Sequence, residues 1–315
     1  MQKIGLGTAA IGRPQYINIK SKETKPFDKK SFTEDGLSVL ELAYENGIRY
    51  FDTSPGYGMA ESILIDWLKS KSDSEIELAT KWGYTYVAEF KKDALVHEVK
   101  EHSLEKLVSQ WEVSKQLKPF LNTYQIHSAT FETGVLKNKE VLHTLSEYQK
   151  KIDLKIGLST TGANQLEVLK EAYDVEVNGQ QLFDVFQVTH NILDQSVTEF
   201  CNKMALDEKR IIVKEALANG RLLPNKNFTQ YDLLYNELKK LAKKYDVGAD
   251  AIALRFCVQS LDSYSVLSGA LEKEHLLSNL KANGFVLEEE ELFLLKSFAI
   301  STDSYWNERK KLSWN

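Results

Sequence analysis

The chain is poor in cysteine, carries little net charge and has no long apolar run. Its 315 residues include two cysteines, Cys201 and Cys257, and its formal net charge is −5. Because two isolated cysteines form no metal-ligand spacing and no disulfide framework, we expect both to be small buried residues on helices. So small a charge argues against nucleic acid or an anionic membrane surface as the main partner.

Membrane-spanning and export segments are also missing. No apolar stretch is long enough to cross a bilayer, and no signal segment precedes the first predicted strand. A reducing cytoplasm without a membrane partner is therefore the expectation. With 43% hydrophobic and 27% charged residues, the composition is that of a globular protein with a large core.

Several common catalytic and binding motifs are absent. The stretch Gly5–Gly12 begins like a dinucleotide fingerprint, but it has no third glycine at the required spacing and no helical pattern follows it directly. His97 and His102 are five residues apart, so on a helix they would diverge and could not share a zinc ion. We interpret both as surface residues of a solvated helix. No phosphate-binding loop, Gly-x-Ser-x-Gly or Cys-x-x-Cys is present, and we predict no metal site.

Strand-like and helix-like segments alternate along the chain without a break in composition. Eight apolar runs are predicted as strands: Lys3–Thr8, Arg49–Thr53, Ile76–Lys81, Thr123–His127, Lys155–Ser159, Phe183–Thr189, Arg210–Glu215 and Ser263–Ser268. Between them apolar residues recur with helical spacing, as in Ala60–Leu68. This alternation indicates a parallel sheet with crossover helices, and eight strands favour closure into a single (β/α)8 TIM barrel domain over residues 1–315.

Three segments exceed the minimal strand–helix repeat. Residues 12–33 follow the first predicted strand and residues 222–229 follow the seventh, so both loops are predicted at the catalytic mouth of the barrel, where loops often select substrate. Residues 288–315 are predicted as a helix with an acidic start and an aromatic tail. That tail either caps the mouth or packs on the outside of the barrel.

Four polar side chains stand at or just beyond the ends of predicted strands: Asp52, Tyr57, Lys81 and His127. The carboxyl ends of barrel strands build the active site of this fold. Hydride reduction of a carbonyl leaves a negatively charged oxygen that must be protonated, and Tyr57 is the candidate acid. A free phenol has a pKa of roughly 10. We expect the Lys81 ammonium to lower that pKa, Asp52 to keep the ammonium charged and aimed, and His127 to orient the substrate oxygen. Taken singly, each residue also has a purely structural explanation, as a turn cap, a packing residue or a strand end.

With these residues in this order, the chain resembles an aldo-keto reductase over nearly its whole length. The matching motifs are Asp-x4-Tyr, Thr-Lys and Gln-Ile-His around the four residues, with further similarity in Ile156–Ser159, Phe186–Val188 and Leu267–Asn279. The resemblance implies a (β/α)8 barrel that binds NADP(H) or NAD(H) extended across its carboxyl-terminal face, without a Rossmann domain.

The resemblance also implies a nicotinamide site. Ser159, Thr160 and Gln187 match positions that hold the nicotinamide amide, and Thr160 stands where the family usually has a longer asparagine. Lys214 lies at or near the place of an aromatic residue that stacks on the ring. A cation there would repel the oxidised nicotinamide unless an acid such as Glu215 neutralises it.

The remaining implied contacts lie further along the cofactor. The backbone of Leu217–Gly220 and the Arg221 guanidinium are predicted at the pyrophosphate, and the alternative for Arg221 is a solvated loop residue. The adenosine end is assigned to Ser268, Gly269, Lys273, His275 and Asn279. Gly269 and His275 occupy positions where NADPH users often place a basic residue. A helix N-terminus and Lys273 would still attract an anion, so the sequence leans only slightly towards NADH.

The expected function is a nicotinamide-dependent oxidoreductase that interconverts a small-molecule aldehyde or ketone and its alcohol. Tyr16, Trp82, Tyr84 and Tyr86 are predicted at the mouth, and such aromatic residues are typical of carbohydrate sites. Because Asp52–Gly58 also resembles the aldose dehydrogenase branch of the family, an aldose or other polyhydroxylated substrate is one hypothesis. The alternatives are a cofactor-binding regulatory subunit of low turnover, like the potassium-channel β subunits, and an inactive relative.

Overall fold

Eight parallel strands of the chain close into a barrel in a computed structural model that describes residues 3–15, 27–91 and 93–314. In chain order the strands are β1 (Ile4–Gly7), β2 (Tyr50–Asp52), β3 (Glu77–Trp82), β4 (Tyr84–Tyr86), β5 (Glu98–Lys100), β6 (Leu121–Ala129), β7 (Lys155–Thr160), β8 (Glu176–Val177), β9 (Gln180–Gln181), β10 (Val185–Thr189), β11 (Arg210–Lys214) and β12 (Ser265–Ser268). The barrel runs β1–β2–β3–β6–β7–β10–β11–β12 and closes on β1 through parallel pairing. The predicted (β/α)8 barrel is therefore confirmed.

Helices surround this barrel. They are α1 (Ala9–Gly12), α2 (Lys29–Glu45), α3 (Ala60–Leu68), α4 (Leu104–Ser114), α5 (Lys139–Ile152), α6 (Gln165–Tyr173), α7 (Thr198–Leu206), α8 (Asp232–Tyr245), α9 (Ala249–Ser260), α10 (Lys273–Leu280), α11 (Glu289–Lys296) and α12 (Thr302–Lys310). Cys201 and Cys257 are buried free cysteines on α7 and α9, as expected. None of the helices in the described ranges is both long and apolar enough to cross a bilayer.

The strands read as continuous apolar runs because both of their faces are covered. Outward-facing side chains join the helices in the main core, and a second cluster contains Tyr50, Ala79, Val185, Ile212 and Leu267. Each member of this second cluster comes from a different barrel strand, which places the cluster inside the barrel. Gly157 permits the close strand pairing there, since a Cβ at this position would lie 2.6 Å from the carbonyl oxygen of Val185.

An antiparallel hairpin rises from the mouth directly after β3. It pairs β4 with β5, and Gly83, with φ +111°, turns the chain into it. His97 and His102 flank β5 and are only 7% and 8% exposed, so their interpretation as solvated helix residues was wrong. The intervening residues are extended, and His102 Nε2 donates a hydrogen bond to the backbone oxygen of His127 at 2.9 Å. The hairpin therefore supports the mouth.

The C-terminal segment forms two helices where the sequence predicted one. Tyr305 and Trp306 of α12 are buried against the barrel, whereas Trp314 stacks on His97 with ring centres 4.5 Å apart. The aromatic tail thus divides its residues between the barrel wall and the mouth. Of the mouth loop 12–33, residues 16–26, including Tyr16, lie outside the described residues.

Candidate active site

The four predicted catalytic side chains meet at one end of the barrel. Lys81, at the end of β3, donates from Nζ to Asp52 Oδ1 at 2.5 Å and to the Thr53 carbonyl oxygen at 2.9 Å. The other Asp52 oxygen accepts from Gln187 Nε2 at 2.8 Å and from Gln125 Nε2 at 3.3 Å. Both side chains are buried, so this charge-assisted hydrogen bond fixes the Lys81 ammonium beside Asp52.

Tyr57 is carried by a tight turn that follows β2. Ser54 Oγ accepts from the Gly56 amide at 3.1 Å, Pro55 begins a single 3-10 turn, and Gly58 ends it with φ +63°. Proline at the first helical position and glycine at a left-handed position suit this geometry. The turn places Tyr57 Oη 3.4 Å from His127 Nε2, with the Lys81 ammonium 4.8 Å from the ring centre.

Burial controls the protonation of this site. It raises the pKa of Tyr57 well above its ordinary value, and the Asp52 carboxylate raises it further. Among the main contributions to this pKa, Arg13 supplies the lowering charge, and the lowering by Lys81 stays a prediction. Burial, followed by the positive charges of Lys81 and Arg13, holds the pKa of His127 well below its usual range. Near neutral pH the site contains a protonated phenol beside a neutral imidazole.

The residues assigned to the nicotinamide amide lie together beside this group. Ser159 Oγ accepts from the Ser128 amide at 2.8 Å, and Gln187 contacts Asp52 as described. Thr160 Oγ1 is buried and has no hydrogen-bond partner within the described part of the chain. A buried hydroxyl without a partner is unfavourable, so an amide group from a bound cofactor fits this position.

Lys214 faces the same space from the end of β11. Its Nζ donates to Thr189 Oγ1 at 2.7 Å and lies 3.9 Å from Glu215 Oε1. Burial lowers the pKa of Lys214 to about 8. Burial alone would raise the pKa of Glu215, but the charges of Arg309 and Lys214 outweigh it and hold that pKa at about 2. The Glu215 carboxylate therefore offsets the charge of Lys214. Such an acid is what a cation beside oxidised nicotinamide needs if it is not to repel the ring.

The Arg221 side chain is buried and hydrogen-bonded. It is 0% exposed and donates to the carbonyl oxygens of Ala218 at 3.0 Å and Tyr305 at 3.2 Å, and to Glu308 at 3.1 Å. The alternative of a solvated loop residue was therefore wrong, since the guanidinium anchors α12. The adjoining Leu217–Gly220 forms a turn in which Ala218, Asn219 and Gly220 have positive φ. Its contact with a pyrophosphate stays a prediction.

The predicted adenosine end lies at the start of α10. Asn279 is buried, and its amide accepts from Ser268 Oγ at 2.8 Å and donates to Asp250 Oδ2 at 2.7 Å in the orientation that satisfies both groups. Lys273 and His275 are exposed, and a Cβ at Gly269 would meet open space. The start of α10 thus has exposed cationic side chains and open space beside Gly269. The Asn279 side chain is hydrogen-bonded to other groups of the protein.

Sequence reasoning assigned no role to Arg13 or Gln125 and left the position of Trp314 between two alternatives. Gln125 stands two positions before His127 on β6, so strand periodicity could have placed it on the same face. Arg13 and Trp314 are 301 positions apart, yet the guanidinium lies 4.9 Å from the indole ring centre. No local pattern predicts such a contact.

Comparisons with known proteins show the family of the chain. A family model described as the aldo/keto reductase family matches residues 3–300. The NADH-specific methylglyoxal reductase of Escherichia coli (strain K12) is 20% identical, and the alignment covers 95% of each chain.

Two solved structures share the fold. The glycerol dehydrogenase AKR11B4 from Gluconobacter oxydans superposes with a TM-score of 0.72 at 21% identity, covering 94% of this chain and 90% of that one. A mutant of Gox0644 in complex with NADPH has a TM-score of 0.64 at 21% identity, covering 95% of this chain and 89% of that one. At these identities the structural likeness shows the fold alone, whereas the family match spans nearly the whole chain. The chain belongs to the aldo/keto reductase family and is an NAD(P)-dependent oxidoreductase.

Proposed function

We propose that this chain reduces a small polar aldehyde or ketone, with Tyr57 as the proton donor. One observation carries the proposal: the Tyr57 hydroxyl lies 3.4 Å from His127 Nε2, and the buried Lys81–Asp52 ion pair lies against the same phenol. Two neutral hydrogen-bonding groups beside a buried cation can bind a carbonyl oxygen and stabilise the charge that develops on it.

Each residue has a distinct task in this mechanism. The reduced nicotinamide, when bound, supplies the hydride to the carbonyl carbon. As charge grows on the carbonyl oxygen, the Tyr57 hydroxyl passes its proton to that oxygen. Lys81 then lies close enough to stabilise the phenolate, and Asp52 holds the ammonium in place. His127, held neutral, orients the oxygen through Nε2, while its Nδ1 is 3.2 Å from Ser54 Oγ.

The residues proposed to bind the nicotinamide lie together beside the catalytic group. Ser159, Thr160 and Gln187 would bind the nicotinamide amide, and Thr160 Oγ1 is the buried group that lacks a partner in the described ranges. Gln187 would divide its amide between the cofactor and Asp52. At the other end, exposed Lys273 and His275 near α10 give no buried basic partner for a 2′-phosphate, which favours NADH slightly over NADPH.

For the substrate we favour small, polar, oxygen-rich carbonyl compounds, with aldoses included. The names of the relatives give methylglyoxal, a small oxygen-rich carbonyl compound, and glycerol, a small polyol whose oxidation product is such a carbonyl compound. Tyr84, whose ring centre lies 4.6 Å from that of His127, and Tyr86 line the adjacent hairpin. Their rings and hydroxyls offer both apolar contact and hydrogen bonds to a hydroxylated substrate. A regulatory subunit of low turnover is not favoured, because the relatives whose names state an activity are a reductase and a dehydrogenase.

Tyr57→Phe tests the proposal. A positioned general acid contributes roughly 10²- to 10⁴-fold to rate, so we expect kcat/KM to fall by at least about 100-fold. The assay follows nicotinamide absorbance with methylglyoxal, glyceraldehyde and a set of aldoses. Fluorescence titration with NADH and NADPH should give nearly unchanged affinities, because the phenol contributes little to cofactor binding.

Tyr148→Phe on α5 is the matched control, since Tyr148 packs on Trp111 away from the mouth. It should turn over like the parent enzyme. If Tyr57→Phe retained full turnover while binding cofactor, Tyr57 would not be the proton donor.

A further inference from the structure

Arg13 is a buried cation that lies against the catalytic turn. Its guanidinium is only 3% exposed, donates to the Gly56 carbonyl oxygen at 3.1 Å and pairs with Glu98 Oε2 at 2.7 Å. The guanidinium carbon is 5.4 Å from the centre of the Tyr57 ring. Arg13 thus contacts the backbone beside the phenol, the hairpin above it and the ring itself.

The backbones of Arg13 and Tyr57 are also locked together. The Met59 amide donates to the Gly12 carbonyl oxygen at 2.8 Å. A Cβ at Gly12 would lie 1.9 Å from the Tyr57 carbonyl oxygen, so only glycine permits this approach. Because the first βα loop and the catalytic turn touch through main-chain atoms, neither segment can shift without the other. The distance from the guanidinium to the phenol is therefore set by the fold.

The C-terminal tail covers Arg13 on its other side. The Trp314 ring centre lies 4.9 Å from the guanidinium carbon, and the indole stacks on His97 with an interplanar angle of 5°. Because surrounding rings exclude water, the charge of Arg13 acts on its neighbours through a medium of low dielectric constant.

Charged and titratable groups surround the phenol on every packed element: Arg13 after α1, Asp52 on β2, Lys81 on β3, Tyr84 on β4, Glu98 on β5 and His127 on β6. Burial and Asp52 raise the pKa of Tyr57, Arg13 lowers it, and Glu98 and Tyr84 raise it. Arg13 and Glu98 therefore act on Tyr57 with opposite signs although they form one ion pair. This opposition makes their roles separable by experiment.

We propose that Arg13 is a positioning residue for Tyr57, which fixes the turn that carries the phenol and places a compensating positive charge beside its ring. This inference rests on the proposed role of Tyr57 as the proton donor. Arg13 stabilises the phenolate that remains when Tyr57 gives its proton to the carbonyl oxygen during reduction, and the same phenolate before it accepts the alcohol proton during oxidation.

A single-site titration tests the inference without substrate or cofactor. 3,5-Difluorotyrosine is introduced at position 57 of the full chain, and its fluorine NMR signal is followed against pH. The fluorinated ring has a lower phenol pKa, which moves the titration towards the pH range in which the fold is stable. Arg13→Met should raise this pKa by about one unit, which leaves about tenfold less phenolate at a fixed pH. Arg13→Lys should restore most of the difference, because it keeps the charge.

Glu98→Gln distinguishes an effect of charge on the phenol pKa from a loss of order, because the two predict shifts of different sign. Removing its negative charge should lower the pKa of the fluorinated phenol, opposite to the effect of Arg13→Met. Mere loss of order at the hairpin would move both variants in the same direction. Arg255→Met on α9 is the matched control and should not shift the titration, since Arg255 contacts Gln259 and Ala282 away from the mouth.

An unchanged titration in Arg13→Met, or shifts of equal sign in Arg13→Met and Glu98→Gln, would overturn the inference. If Arg13→Met does not fold, Arg13→Gln takes its place, because glutamine keeps a donor for the Gly56 carbonyl oxygen without the charge, and an unchanged or lowered pKa in that variant would refute the inference. Failure of the proposed function would give a different result. A protein that reduces no carbonyl compound could still show the expected shifts in the phenol pKa, because the titration needs neither substrate nor cofactor.

Discussion

At the residue scale, Lys214 is the side chain whose charge bears most directly on the cofactor. Its ammonium lies between Thr189 and Glu215 at the mouth, where we expect the nicotinamide ring. Only the oxidised ring is positively charged, so the repulsion acts on NAD+ and spares NADH. Glu215 reduces this repulsion, because it lies 3.9 Å away and is itself fixed by Arg309 at 2.8 Å.

Lys214→Met should therefore bind NAD+ more tightly by about three- to tenfold and leave the NADH affinity nearly unchanged. In the parent enzyme NAD+ affinity should also rise as pH passes the Lys214 pKa of about 8, since deprotonation removes the repelling charge. Fluorescence quenching measures NADH, and competition measures NAD+. Lys170→Met, an exposed change on α6, is the control. Equal shifts for both redox forms would contradict an effect of charge on the ring.

At the scale of elements, one buried carboxyl joins a helix, a strand and a second helix. Glu61 on α3 accepts from Thr80 Oγ1 on β3 and from Ser114 Oγ at the end of α4, the latter at 3.0 Å. Burial raises the pKa of Glu61 to about 7 from its ordinary value of 4.5. The folded state therefore holds this proton more tightly than the unfolded chain, and the carboxyl destabilises the fold progressively as pH rises from 4.5 to 7.

Glu61→Gln keeps both accepted hydrogen bonds but cannot ionise. Relative to the parent enzyme, we expect its free energy of unfolding to gain about 2 kcal/mol more at pH 8 than at pH 5, because only the parent has an ionised buried carboxylate at pH 8. Urea unfolding at the two pH values measures the difference. Glu167→Gln on the exposed face of α6 serves as the control. A pH-independent difference would show that Glu61 is not the titrating group.

Elements with strong periodicity could be read from the sequence, and short irregular ones could not. Runs such as Ile211–Val213 have no polar interruption, which is typical of a strand covered on both faces. The hairpin of Tyr84–Tyr86 and Glu98–Lys100 has three residues per strand, too few to reveal alternation. His97 and His102 look like exposed polar residues in the sequence, but both are buried. Trp314 covers His97 and the His127 backbone contacts His102, and both partners come from distant parts of the chain.

At the scale of the whole molecule, the barrel brings the strand-end residues together, and this part of the candidate site follows from chain order alone. Asp52, Lys81 and His127 lie at or near the carboxyl ends of the neighbouring strands β2, β3 and β6, so their meeting required only a closed parallel sheet. The protonation of the site was not predictable in the same way. Burial dominates the pKa values of Tyr57 and His127, and burial is a property of the assembled mouth.

Burial of neutral histidines should also set the acid limit of the entire fold. Burial lowers the pKa of both His102 and His190 to about 4, and it lowers that of His127 as well. The unfolded chain binds these protons near pH 6.5, so it holds more protons than the folded state between about pH 6.5 and 4. Stability is therefore lost as pH falls through this window, and each such histidine contributes a slope of up to roughly 1.4 kcal/mol per pH unit.

His190→Gln isolates one of these contributions outside the candidate site. His190 is fully buried, with Nε2 2.8 Å from Ser260 Oγ, and glutamine can keep a hydrogen bond there without titrating. Between pH 7 and pH 5 the parent enzyme should lose about 2 kcal/mol more unfolding free energy than the variant. Urea unfolding monitored by tryptophan fluorescence gives both values, and exposed His143→Gln should behave like the parent. If His190→Gln kept the full acid sensitivity, the loss would have to arise from other groups, because a residue that cannot bind a proton cannot produce it.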